Sequence, residues 1–89
     1  MIFTPINKEH LQIAVDLWCN DMKSAYKLYG HISLWDTKYI TNMRNLFWEK
    51  YTFNSVISSW NVSNVENMAG MFFKASIFNQ PLNLSLIHI

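Results

Sequence analysis

A repeat of 25 residues is the feature that most constrains the fold of this chain. Residues 32–56 and 57–81 align without gaps and share eight identical positions, where chance would supply about one or two. Trp35 returns as Trp60, and Phe47 returns as Phe72. A single unit of this length cannot enclose its own apolar face, but stacked units bury a continuous core. We therefore expect equivalent residues, above all Trp35 and Trp60, to lie side by side.

Within each unit the pattern predicts a short strand, a turn rich in Ser and Asn, and one helical or 3₁₀ turn. The strands are expected at 35–37 and 60–62, and the helical turns at 42–47 and 67–72. The apolar positions repeat at helical spacing within these turns, so we assign them to the core. Trp48 and Phe73 are equivalent apolar positions and are included in that assignment.

The residues before the repeat predict two short helices. Asn7 is a favourable N-cap for a helix over 7–18, and Asn20 can cap a second helix over 21–29. Gly30 stands where a helix often ends in a left-handed residue. The apolar side of the first helix consists of Leu11, Ala14, Val15 and Trp18. The predicted organisation is thus a helical N-terminal cap over 1–31, then two repeats and the start of a third over 32–83.

The second repeat contains a recognisable motif. Residues 60–65 read Trp-Asn-Val-Ser-Asn-Val, and Phe-Asn-Gln-Pro-Leu follows at 78–82. The chain resembles the BspA-type leucine-rich-repeat surface proteins, whose repeat of 25 residues is shared with mycoplasma surface lipoproteins. The resemblance implies an α/β fold, a short leucine-rich-repeat-like solenoid behind a two-helix cap, in a truncated fragment of a longer protein. Asn61 departs from the Asp that is usual in that motif.

The last six residues depart from the repeat. Residues 84–89, Leu-Ser-Leu-Ile-His-Ile, are what CTG TCT CTT ATA CAC ATC encodes, a transposase end sequence used in sequencing-library adaptors. We interpret this hexapeptide as an adaptor-derived tail. Other codons in the nucleotide record would contradict that interpretation.

Charge and residue types argue against catalysis, metal binding and nucleic-acid binding. The net charge is +1 without a basic run, whereas nucleic-acid binding needs clustered Lys and Arg. Cys19 is the only cysteine, so no intrachain disulfide can form. His10 and Cys19 are not placed to form a dyad, and His31 is interpreted as a corner residue whose ring bonds the backbone. His88 lies in the tail. We expect no enzyme activity, no cofactor and no metal site.

Binding is the remaining class of function, and the resemblance suggests where it occurs. Leucine-rich-repeat geometry would present alternate strand residues on a concave face, which predicts a binding surface made of Leu34, Asp36, Lys38, Ser59, Asn61 and Ser63. We therefore expect a module for protein–protein interaction, of surface or adhesion type, with an unknown partner. The alternatives are a structural spacer whose repeats bind only one another and, less favoured, a small helical nucleic-acid-binding protein.

The compartment is left open by the sequence. No signal peptide or membrane-spanning stretch is visible, although members of the resembled family are often found at the cell surface. Two repeats are fewer than the ~3 that a stable stack needs. We therefore expect self-association through an uncapped C-terminal edge.

Overall fold

A computed structural model describes residues 2–75 of the chain. Helix α1 spans Lys8–Asn20, helix α2 spans Met22–Tyr29, and a 3₁₀ helix spans Ile32–Leu34. The residues from 35 to 75 form turns and one isolated parallel bridge between Asn42 and Asn67. The tail 84–89, its His88, and the start of a third repeat lie outside the described residues, so those predictions stay predictions. The domain boundaries at 31 and 83 also stay predictions.

The expected fold class is wrong. Residues 2–75 contain helices but no β-strand and no sheet, so this part of the chain is all-helical and is neither α/β nor a leucine-rich-repeat solenoid. At the expected strands, Asp36 and Asn61 bond the backbone N–H two residues further on. These local bonds compete with the ladder of hydrogen bonds that a strand requires.

The expected helical turns at 42–47 and 67–72 are also absent as helices. Each contains a hydrogen-bonded turn, in which the N–H of Leu46 donates to Met43 O and the N–H of Met71 donates to Met68 O. Asn45 and Gly70 have φ values of 57° and 68°, which lie in the left-handed region. A right-handed helix cannot continue through such a residue.

Helix α1 agrees with the sequence pattern. The side chain of Asn7 accepts a hydrogen bond from the backbone of His10 at 2.9 Å and so caps the first turn. The four apolar residues expected on its inner side are all buried. A helix of this length gains most of its stability from such packing rather than from its own hydrogen bonds.

Helix α2 differs from the prediction in its cap. Asp21, not Asn20, is the N-cap, and its carboxylate accepts bonds from the N–H and hydroxyl of Ser24. Ala25 is buried, whereas Leu28 is exposed. Gly30 ends the helix with a positive φ of 75°, but its ψ of −174° lies outside the left-handed helical region that was predicted.

The structure confirms that side chains 25 positions apart in the sequence pack against one another. The rings of Trp35 and Trp60 stack with centres 6.3 Å apart and planes 20° apart. Phe47 stacks on Phe72 at 5.5 Å. Backbone N–H groups of alternate residues in the first repeat donate to carbonyls of the second, each 24 positions later: Met43 to Asn67, Asn45 to Ala69, Phe47 to Met71, and Glu49 to Phe73. Equivalent residues therefore lie next to one another.

One apolar core joins the helices to both repeats. The buried apolar residues are Leu11, Ala14, Val15, Trp18, Ala25, Ile32, Trp35, Ile40, Met43, Leu46, Phe47, Phe53, Ile57, Trp60, Val62, Val65 and Met71. Helix α1 lies against the first repeat, since Gln12 donates to Leu46 O at 2.9 Å and Asp16 pairs with Lys50 at 3.0 Å.

Within residues 2–75, no helix is long and apolar enough to cross a membrane.

Candidate functional site

Four of the six predicted binding residues meet around one shallow hollow. Leu34, Asp36, Ser59 and Asn61 line it, and its volume is about 240 Å³. Ser33 and Trp35 complete the lining together with Ile2. The structure therefore brings these four residues together, although residues 2–75 contain no strand to carry them. Their role in binding stays a prediction.

Lys38 and Ser63, the other two predicted residues, do not line the hollow. The Lys38 ammonium lies 3.6 Å from the Asp36 carboxylate and 5.3 Å from the centre of the Tyr39 ring. Both charged groups are partly exposed, so this ion pair contributes little to stability. It nevertheless holds a cation beside the rim of the hollow.

Asp36 and Asn61 perform the same structural task in successive repeats. Oδ1 of Asp36 accepts from the N–H of Lys38 at 3.1 Å. Oδ1 of Asn61 accepts from the N–H and the hydroxyl of Ser63 at 3.0 and 2.6 Å. Both side chains satisfy a backbone donor in a turn. The turn needs only a side-chain oxygen, which explains why Asn61 serves where Asp is usual in the resembled motif.

The apolar part of the hollow includes a residue that the sequence reasoning missed. Ile2 is 64% exposed and Leu34 is 68% exposed, and both line the hollow. The N-terminal segment reaches this position because the N–H of Asp36 donates to Phe3 O at 2.9 Å. No repeat or spacing in the sequence indicates this contact between distant residues.

Cys19 is partly buried, and the ring of His31 makes a local hydrogen bond. Burial raises the pKa of the Cys19 thiol to about 11, the ammonium of Lys50 opposes this effect, and Asp16 adds to it. Nδ1 of His31 accepts from the backbone N–H of Ser33 at 3.1 Å, so its prediction as a corner residue is confirmed. No group of three His, Cys, Asp or Glu side chains within residues 2–75 is placed to hold a metal ion.

A second surface contains Trp48 and Phe73, the pair that the repeat pattern wrongly assigned to the core. Trp48, Tyr51 and Phe73 are exposed aromatic residues. Trp48 and Tyr51 each donate a hydrogen bond to the carboxylate of Glu49, and Phe73 stacks on Trp48. The period correctly indicated that Trp48 and Phe73 are equivalent, since their rings stack with centres 4.2 Å apart. It could not indicate that this pair faces solvent. We call these four residues the aromatic patch.

A family model described as "Mycoplasma protein of unknown function, DUF285" matches residues 19–85, which is most of the chain. The chain belongs to the DUF285 family. Neither a curated protein nor a solved structure matched it. The DUF285 match covers α2, both repeats and the residues of the hollow except Ile2. It agrees with the mycoplasma part of the resemblance given by the repeat motif.

Proposed function

We propose that this DUF285 chain is a non-enzymatic protein-interaction module of the BspA-like surface or adhesion type, and that it binds its partner at the hollow. The observation that carries the proposal is the pair of exposed aliphatic side chains, Ile2 and Leu34, beside the fixed polar groups of Asp36 and Asn61. Protein interfaces combine an apolar centre with a polar rim in this way.

The energetics favour the apolar pair as the main contact. Covering an exposed aliphatic side chain completely contributes about 1.5–3 kcal/mol, so the two together support measurable binding. The oxygen atoms of Asp36 and Asn61 are already committed to backbone donors, and a partner therefore meets a rim whose geometry is set before binding. Such preorganisation reduces the entropy lost on association.

A phage-displayed library of random peptides, selected on the immobilised chain, tests the proposal. Enriched peptides should bind the wild type but lose about tenfold in affinity for Leu34→Ser, since losing one apolar anchor costs more than 1 kcal/mol. Leu28→Ser is the matched control, because Leu28 is equally exposed at 68% but lies on α2. Peptides that bind both variants equally, or a selection without enrichment, would contradict the proposal.

A structural spacer is the second candidate, and one group of contacts favours it. Polar side chains near the hollow connect the repeats, since Ser59 Oγ donates to Ser33 O at 2.7 Å and Asn64 Nδ2 donates to Lys38 O at 2.7 Å. If the surface around the hollow serves only to connect the repeats, Ser59→Ala should lower the free energy of unfolding, and the phage-display selection should return no peptide whose binding depends on Leu34.

A further inference from the structure

Within the aromatic patch, Trp48 is far more exposed than the other three tryptophans of the chain. Trp48 is 39% exposed, whereas Trp18, Trp35 and Trp60 are each 2% exposed. Phe73 stacks on the Trp48 indole with ring planes 25° apart, and its own exposed fraction is 49%. Large aromatic surfaces left in water are costly, and Trp and Tyr are enriched among the residues that dominate binding energy at interfaces.

Glu49 is held at the centre of the patch by three hydrogen bonds. Oε1 accepts from Nε1 of Trp48 at 2.8 Å, and Oε2 accepts from the hydroxyl of Tyr51 at 2.7 Å. The backbone N–H of Glu49 donates to Phe73 O at 2.8 Å. A carboxylate has about four acceptor positions, so each oxygen can accept a further bond.

The surroundings of the Glu49 carboxyl group also favour its ionised form. The hydrogen bond from Tyr51, then that from Trp48, and less strongly the charge of the Lys74 ammonium hold the pKa of the Glu49 carboxyl below its ordinary value, against a small opposing effect of burial. The side chain is therefore ionised at neutral pH. The patch thus combines a fixed negative charge with aromatic rings whose faces carry partial negative charge.

This combination selects a cation. An ammonium or guanidinium group is attracted to the face of an aromatic ring, most strongly to Trp, and pairs with a carboxylate. The chain already shows the attraction, because the ammonium of Lys74 lies 5.6 Å from the centre of the Phe73 ring. A guanidinium suits the site better than an ammonium because it is planar, stacks on rings, and donates in a fork to carboxylate oxygens.

We propose that the aromatic patch binds an arginine side chain in an exposed segment of a protein partner. This deepens the proposed function, on which it rests for the class of ligand. It shares no residue with the hollow, so either site can fail without the other.

Indole resonances in a ¹⁵N-correlated NMR spectrum can test the site directly. The probe is a capped Gly/Ser peptide with a central arginine, and its counterpart carries citrulline, which has a similar shape without the charge. The Nε1–H of Trp48, assigned with Trp48→Phe, should shift saturably with the arginine peptide alone. The indole N–H groups of Trp18, Trp35 and Trp60 are internal controls, because they donate to Ser55, Gly30 and Ile32.

Two variants that change the net charge equally distinguish binding at the patch from nonspecific attraction between the chain and a cationic peptide. Glu49→Gln should weaken binding of the arginine peptide by about tenfold, as expected when the ionic part of the contact is lost. Glu66→Gln should bind like the wild type, since Glu66 is exposed in the second repeat and lies outside the patch.

Several results would overturn the proposal. These are equal shifts with the citrulline peptide, equal binding by Glu49→Gln and wild type, or equal weakening by both variants. Unchanged resonances of the three buried indoles show whether Glu49→Gln is folded. If it is not, the comparison of arginine with citrulline on the wild type still decides. Because the selection at the hollow uses Leu34, its failure is distinguishable from failure here.

Discussion

Gly70→Ala should destabilise the protein through two separable effects at the contact between the repeats. Gly70 has a φ of 68°, and an L-residue in the left-handed region costs about 1–2 kcal/mol. A Cβ at this position would also clash with Oδ1 of Asn45 and lie 3.3 Å from the Trp48 ring. The obstructing oxygen is the end of a half-buried side chain that can turn aside, so we expect a cost of about 1–2 kcal/mol, at the lower end of the range for overpacking. The expected total loss is about 2–4 kcal/mol in the free energy of unfolding.

The clash with Asn45 can be isolated by a double-mutant cycle. Asn45→Gly removes the obstructing oxygen and tolerates the φ of 57° at that position. In the Asn45→Gly variant, Gly70→Ala should lower the free energy of unfolding by about 1–2 kcal/mol less than it does in the wild type. The remaining loss is the cost of the positive φ at position 70. Urea denaturation followed by tryptophan fluorescence measures all four proteins.

Gly30→Ala provides the control for the cycle. Gly30 also has a positive φ, of 75°, but a Cβ there would meet nothing within 4 Å. Its substitution should destabilise the chain by strain alone, about 1–3 kcal/mol, and Asn45→Gly should not relieve that loss. If the effects of Gly70→Ala and Asn45→Gly are additive within about 0.5 kcal/mol, the proposed contact between the repeats is refuted.

Two further predictions concern the helical cap. Asp21→Ala should lower the free energy of unfolding by about 1 kcal/mol because it removes the N-cap of α2, whereas Asn20→Ala should have almost no effect. Thermal denaturation followed by circular dichroism measures both variants. Equal losses would contradict the assignment of Asp21 as the cap. The thiol of Cys19, with a raised pKa of about 11, should react with iodoacetamide at pH 8 about a hundredfold more slowly in the folded chain than in urea, since the thiolate is the nucleophile. Its rate should rise as the pH approaches 11, and equal rates in the folded and denatured chain, measured by mass spectrometry, would exclude the raised pKa.

The sequence predicted helix α1 well because its signals are local. Asn7 caps the helix and its apolar spacing selects the buried side, and both effects act within a few residues. The cap of α2 was assigned one residue too early because Asn20 and Asp21 are both suitable caps. Helix ends are set by small energy differences between such neighbours.

The candidate sites were only partly predictable. The analogy with leucine-rich-repeat geometry grouped six residues on one surface, and the structure brings four of them, Leu34, Asp36, Ser59 and Asn61, together around the hollow. Ile2 could not be found, because it joins the hollow through a long-range backbone bond between Phe3 and Asp36. The aromatic patch was missed for a different reason, since apolar residues at a repeated position are usually buried when repeats stack.

The predicted fold class was wrong because a sequence period specifies which residues are neighbours but not which backbone conformation they adopt. Stacking requires only that equivalent residues adopt the same conformation, whichever it is. Asn45 and Gly70 share a positive φ, as do Glu49 and Lys74, so the left-handed residues also recur every 25 positions. These residues interrupt regular helix within each repeat and leave N–H groups that donate to the adjacent repeat instead. Backbone N–H groups of the first unit therefore alternate along the chain, one closing a turn within the unit and the next donating to the second unit.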